Sequence, residues 1–466
     1  MEIFSSKTLK NDIKEIVEEF RNQEFYFDIN IISQEEKRLV SDLTSKNNSR
    51  EYDKGFKIRV WDGEKFLEKG DSNITKESIR SSLVRLLNSA KHNQNTLSTK
   101  RELKIEEENI EKEFNQKTDS EQFSLKDKLE KIEKIRDKIK QSDEDIVNVR
   151  VGIIEKYDEH YFTNKYKQLY QKIPIITLIK VPFVKCLDGE VRNNYQVLTD
   201  NNLKSLFERS EKGLNELLEI VNKLKKAKKL KGGKYKAVLS PKLTGLLAHE
   251  SFGHGLEADT MMKDRALANE WLGKKIAPDF VSVIDYSNIE GKHGQLFFDF
   301  DGNVAKKTYL VKNGYIDEPM SDIYSKTRLN LNNSSNSRIE SYDHKNYTRM
   351  TNTYFEPGED SYKDFISEIN DGIFLHNSSG GMEDPKGWGV QLQGCFGQRI
   401  KNGELIDEYY DGFSLTGFLP DILNNIKKIS KEFELEGTGY CGKGHKEWVR
   451  VSEGGPYLLV NEVILG

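Results

Sequence analysis

No stretch of about 18 consecutive apolar residues occurs in the chain, so no membrane-spanning helix is expected. The opening residues, "MEIFSSKTLKNDIKEIVEEF", lack a basic start, an apolar core and a small-residue cleavage site. They do not read as a secretory leader, and the expected compartment is the cytoplasm. Cysteine is scarce: Cys186, Cys395 and Cys441 are odd in number and far apart, which excludes a disulfide framework. Net charge of one sign is also missing. Charged residues make up 32% of the sequence but sum to only −4, so no global attraction to nucleic acid is expected. The lysine run "KLKKAKKLKGGK" at 223–234 reads as a solvated helix end leading into a linker. No phosphate-cradling G-x-x-x-x-G-K-[ST] loop and no solenoid period appear.

At 466 residues the chain is long enough for two or three domains. Apolar residues at helical spacing predict helices over 7–22 and 76–91, and alternation around Asp62-Gly63 predicts a hairpin in "FKIRVWDGEKFLEKG". The Glu- and Lys-dense stretch 100–145 predicts a helix or helical hairpin, with Ser124 as an N-cap. Strands follow over 150–186, then a long helix over 200–229. Gly232-Gly233 is the expected boundary. It divides a mixed α/β domain, 1–232, from a largely antiparallel β domain, 233–466, in an α+β protein. Asn313-Gly314 and Asn402-Gly403, each between alternating runs, are strong hairpin signals. Cys186 and Cys395 read as small buried hydrophobes, and "HNSSGG" at 376–381 as a glycine-rich loop without the G-x-S-x-G of a serine hydrolase.

The chemistry concentrates in "LLAHESFGHGLEAD", residues 246–259, on one of the few helices of the second half. His249 and His254 are of the type that holds zinc, and Glu250 beside them can take a proton from water. Their spacing is five, not the four of the common His-Glu-x-x-His motif. On an ideal α-helix that turns the rings about 140° apart, against about 40° at spacing four. A π-type widening restores them to one face, and Gly253 and Gly255 ease that distortion. A helix end with two satisfied structural histidines is the alternative. Glu257 and Asp259 can each accept a ligand's free ring N–H or simply close the helix end with a salt bridge. Two histidines are too few for a catalytic zinc; Cys441, Glu257, Asp259, His293 and His445 are the candidates for a third ligand.

"HESFGHGLEAD", "RMTNT" (349–353) and the C-terminal "GTGYCGKGHKEWVRVSEGGPYLLVNEVILG" together resemble the TldD/PmbA metalloproteases, on the TldD, catalytic side. The resemblance is specific from about 235 onward and weak before it. It implies His249, His254 and Cys441 as zinc ligands and Glu250 as catalytic base. It further implies a dimer around an enclosed chamber, either a homodimer or a pair with a metal-free TldE/PmbA-type relative. Unfolded polypeptides or small peptides, bound in extended form by strand addition, are the implied substrates. The family usually carries Gln where this chain has His445, which makes His445 a possible additional ligand or proton donor.

Overall fold

The computed structural model describes residues 7–95, 97, 100–443 and 447–466. Two sheets organise them. The first has eight strands, running in space Phe66–Asp71, Lys46–Trp61, Phe27–Ser41, Ile146–Asn164, Lys167–Lys185 and Ile110–Asn115, with Val191–Asn193 and Gln196–Asp200 also pairing to Lys167–Lys185. Helices Lys7–Glu19 and Lys76–Gln94 bury Ile13, Ile16, Ile79 and Leu83 against Ile29, Phe56 and Ile58 of this sheet. Helix Leu125–Gln141 does the same with Ile132 and Ile139 against Val151 and Leu178.

The second sheet has ten strands and starts at Gly233. Within it Gly233–Leu239, Asp371–Asp384, Gly389–Lys401, Glu404–Phe418 and Glu447–Leu465 pair in sequence around a closed ring, because Gly233–Leu239 bonds to both the second and the last. Most pairings are antiparallel. The ring encloses helix Pro241–Ala248, whose apolar side chains Leu243, Leu246 and Leu247 are buried. Gly245 permits this: a Cβ there would lie 2.0 Å from the Gly454 backbone nitrogen, so only glycine lets helix and strand approach so closely.

The two sheets share packing and charge. Phe396 and Tyr409 of the second join the core of the first. Buried Arg59 binds Asp28 in its own sheet through two hydrogen bonds, at 3.0 and 2.7 Å, and pairs with Asp301 at 2.7 Å. Both Asn-Gly signals close two-residue hairpins, with Lys312 opposite Tyr315 and Lys401 opposite Glu404. Both residues of each turn have positive φ, the geometry that suits a hairpin's twist.

Three expectations differ from the structure. Residues 110–115 are a strand, not helix; Ile110 and Phe114 are its inward side chains, paired parallel to 167–172. The helix after it does start at Ser124, whose hydroxyl and Asp127 form a reciprocal cap. The long helix over 200–229 breaks at Gly213 into Leu203–Lys212 and Leu214–Leu224, and Gln196 donates to the Gly213 carbonyl there. "HNSSGG" lies inside the strand Asp371–Asp384, which absorbs the glycines through a register shift between Ser378 and Gly380. Cys186 is buried and Cys395 half-buried. Among the described residues, no helix is long and apolar enough to cross a membrane.

Candidate metal centre

Helix Pro241–Ala248 ends in the widened turn that the five-residue spacing requires: His249–Gly253 is π-helical. Proline at its first position suits the helix start, and the apolar run Leu246–Ala248 anchors the turn inside the ring of strands. The wider turn brings the His249 and His254 ring centroids to 5.3 Å at an interplanar angle of 76°. Cys441 arrives on strand Ile426–Lys443, its Sγ 3.4 Å from His254 Nε2. Ligand atoms of His249, His254 and Cys441 all lie within 4.8 Å of one another.

This donor set fits zinc. A tetrahedral ion at ordinary Zn–S and Zn–N bond lengths holds sulfur and nitrogen about 3.5 Å apart, close to the separation seen. The charges fit as well. Burial pushes the Cys441 thiol up, but the two imidazoles outweigh burial and hold it well below the usual thiol range. Burial disfavours charge on His249, yet Cys441 and Glu453 draw its pKa up to about 9. The thiolate draws protons onto both rings, and a bound metal ion would take the place of those protons.

Carboxylates stand behind both rings. Glu257 Oε2 lies 3.7 Å from His254 Nδ1, and Glu453 Oε1 lies 3.5 Å from His249 Nδ1. Each leaves its histidine's other nitrogen free to face inward. Burial alone would raise the Glu257 pKa, but Lys443, His254 and Arg349 together hold it well below the usual carboxylate range. Lys443 Nζ donates to Glu257 at 2.8 Å and also pairs with Asp259, so Asp259 reaches the histidines only through this lysine. Arg349 ties the ensemble together, pairing with Glu257 at 3.4 Å and donating to the Cys441 carbonyl at 2.6 Å. His293 is not part of the cluster: it is buried beside the Gly439 carbonyl, 3.3 Å from its Nδ1. His445 lies outside the described residues.

The cluster opens into a cavity of about 520 Å³ that Glu250 and Glu383 also line. Burial raises the Glu250 carboxyl above its ordinary value, and the neighbouring imidazoles offset only part of this. A base needs such a shift to work near neutrality. Space for it comes from Gly381, where a Cβ would lie 2.8 Å from Glu250 Cγ. Burial drives Glu383 well above the carboxylate range, with Glu250 adding to the push, and neither of its oxygens has a hydrogen-bond partner among the described residues. Sequence reasoning missed Glu453, Glu383, Lys443 and Arg349 as parts of the site. The first, third and fourth sit inside segments already marked by "SEGG", "CGKG" and "RMTNT"; nothing local to "GGMED" distinguishes Glu383.

Residues 232–466 match the family described as the PmbA/TldA metallopeptidase C-terminal domain. A metalloprotease of Methanocaldococcus jannaschii is 35% identical over 245 residues, 52% of this chain and 53% of that protein. A Saccharolobus solfataricus protein named zinc metalloprotease TldD homolog is 30% identical over 248 residues, 53% of this chain and 54% of its own. The chain thus spans about half the length of the curated relatives it matches. TldE from Thermococcus kodakarensis shares the fold across 98% of this chain and 100% of its own, with a TM-score of 0.76 at 13% identity. The chain belongs to the TldD/PmbA family, in which these curated relatives are named metalloproteases.

Proposed function

We propose that this chain is a zinc-dependent peptidase that hydrolyses unfolded polypeptides or small peptides held in extended form. The observation that carries this reading is the convergence of two imidazoles and one thiol, from segments 187 residues apart, beside the buried Glu250. His249, His254 and Cys441 would hold the zinc, which when bound supplies a Lewis acid that acidifies water and polarises a carbonyl. Glu250 takes the proton from the attacking water and delivers it to the leaving amine nitrogen. Glu257 and Glu453 orient the two histidines, and Asp259 keeps Lys443 in place against Glu257. His445 is an additional donor next to this set by sequence.

Extended binding is supported by the strands at the cavity. Among the described residues, Gly439–Lys443 pairs as a strand with Glu447–Val451 alone, and beyond Leu375 the strand Asp371–Asp384 pairs with Gly389–Lys401 alone. Past Ser378, whose carbonyl accepts from Tyr195, the second strand offers an edge onto which a peptide can add as a further strand. Such binding reads backbone, so folded proteins should resist.

The reading extends to organisation. Residues 1–232 and 233–466 form two domains of one subunit, which works in the cytoplasm as a homodimer or with a metal-free TldE-type relative, and without a nucleic-acid or membrane partner. The fold shared with TldE supports the second pairing. Light scattering should give at least twice the chain's mass; a monomer would argue against both. A metal-free peptide-binding subunit of the same fold is the alternative reading, and the presence of Glu250 together with the ligand set disfavours it. Digestion of one polypeptide in folded and unfolded form, with zinc and with chelator, tests the proposal. Cleavage of the unfolded form alone, abolished by chelation, is expected; equal cleavage of both forms, or cleavage unaffected by chelation, would overturn it.

A further inference from the structure

The metal-ligand cluster uses only the C-terminal end of helix Pro241–Ala248. Eight residues at about 1.5 Å each put its other end roughly 12 Å away. At that end lies a separate cavity of about 170 Å³, between the helix start, the strand Gln196–Asp200 and helix Leu214–Leu224. Its floor is polar and unsatisfied. Ser240 stands in the N-cap position, 7% exposed, yet its hydroxyl makes no capping bond and has no partner among the described residues. Among the described residues, Asn194, 1% exposed, has its amide nitrogen unpaired, and His376 Nε2 and Gln196 Oε1 are likewise buried without partners. Buried donors and acceptors are normally satisfied. Four unsatisfied ones around one cavity mark a place shaped for a polar guest.

The cavity carries charge of both signs. The Lys242 and Leu243 amides belong to the helix's first turn, have no partner within it, and carry its partial positive charge. Lys242 Nζ sits 4.6 Å over the Tyr195 ring and makes no ion pair among the described residues. The inner end therefore suits an anion. Glu216, Glu434 and Glu436 line the same cavity and draw on the Lys242 charge; Glu436 already pairs with Arg209 and Lys292, whereas Glu216 and Glu434 are exposed and make no ion pair among the described residues. Leu217 and the Tyr362 and Tyr457 rings, stacked at 4.1 Å, give the cavity its apolar lining.

We propose that this cavity binds a small zwitterion of the free amino-acid class. Its carboxylate lies against Ser240, Asn194, Lys242 and the first-turn amides, its apolar body against the tyrosines, and its ammonium toward Glu216 and Glu434. The site is independent of the metal centre and of the reaction proposed there.

Calorimetric titration with L-leucine, N-acetyl-leucine and leucinamide tests it, each measured with zinc and with chelator. Leucine should bind, chelator or not. N-acetyl-leucine, without the ammonium, and leucinamide, without the carboxylate, should each bind at least about tenfold more weakly. Lys242→Met and Asn194→Asp, the second nearly unchanged in size, should each weaken leucine binding by a similar factor while thermal melting stays cooperative. The proposal is overturned if leucine fails to bind at millimolar concentration. Binding that neither substitution weakens overturns it too. Equal binding of all three compounds would remove the zwitterion assignment, and loss of binding on chelation would move the ligand to the metal centre.

Discussion

The sulfur of Cys441 lies 3.4 Å from Nε2 of His254, although 187 residues separate them along the chain. Strand Ile426–Lys443 delivers one and the π-helical turn the other, so the proposed third ligand comes from an element remote in sequence. Replacing Cys441 with alanine should remove most bound zinc, measured by metal analysis of the purified protein, while Asp259→Asn should keep it. Full zinc occupancy in the Cys441→Ala protein would take that residue out of the site.

Glu453 provides a subtler test, since it would act on a bound zinc through His249. Glu453→Gln keeps the side chain's size and loses the charge behind the ring. Zinc affinity, followed by competition with a chelating dye, should fall about 10- to 100-fold. An unchanged affinity would make the carboxylate incidental.

Gly381 leaves room for Glu250, because an added Cβ would sit 2.8 Å from Glu250 Cγ and 3.0 Å from its Oε1. Gly381→Ala should therefore push the base aside and lower kcat at least about tenfold with zinc content intact. Loss of zinc in parallel with activity would show that the substitution disturbs the ligands instead.

Much of this site was legible in sequence because it depends on local spacing. A spacing of five between the histidines requires a widened turn, and the widened turn is there. The Asn-Gly hairpins follow from the same kind of short-range rule. What escaped is long-range. The hairpin of Phe27–Ser41 with Lys46–Trp61 is largely polar through its far half, since residues 46–54 are exposed, so no apolar alternation announces it. The strand through "HNSSGG" was hidden by residues that favour loops, and only pairing with Gly389–Lys401 overrides that preference. Glu383 gained its place at the cavity from the same pairing.

Acid stability offers a prediction away from the metal. His160 is fully buried and neutral: its Nε2 lies 2.7 Å from Asn30 Oδ1, and its Nδ1 accepts from Gln171 at 3.2 Å. Burial depresses its pKa to about 3, against about 6.5 in the unfolded chain. The unfolded state thus binds the proton first. The stability this neutral ring contributes is present above pH 6.5 and lost as pH falls toward 3. In His160→Gln, denaturant unfolding between pH 6 and 4 should show a dependence shallower than wild type by up to about 1.4 kcal/mol per pH unit. Parallel curves for the two proteins would mean that the ring is already protonated in the fold.

The central claim is that Glu250 moves the proton in a metal-dependent peptide hydrolysis. The most direct measurement is turnover of an unfolded polypeptide by wild type and Glu250→Gln, with zinc determined in the same samples. Equal zinc, with cleavage at least about 100-fold slower in the variant, is the result the account predicts. Equal zinc and equal turnover would contradict it.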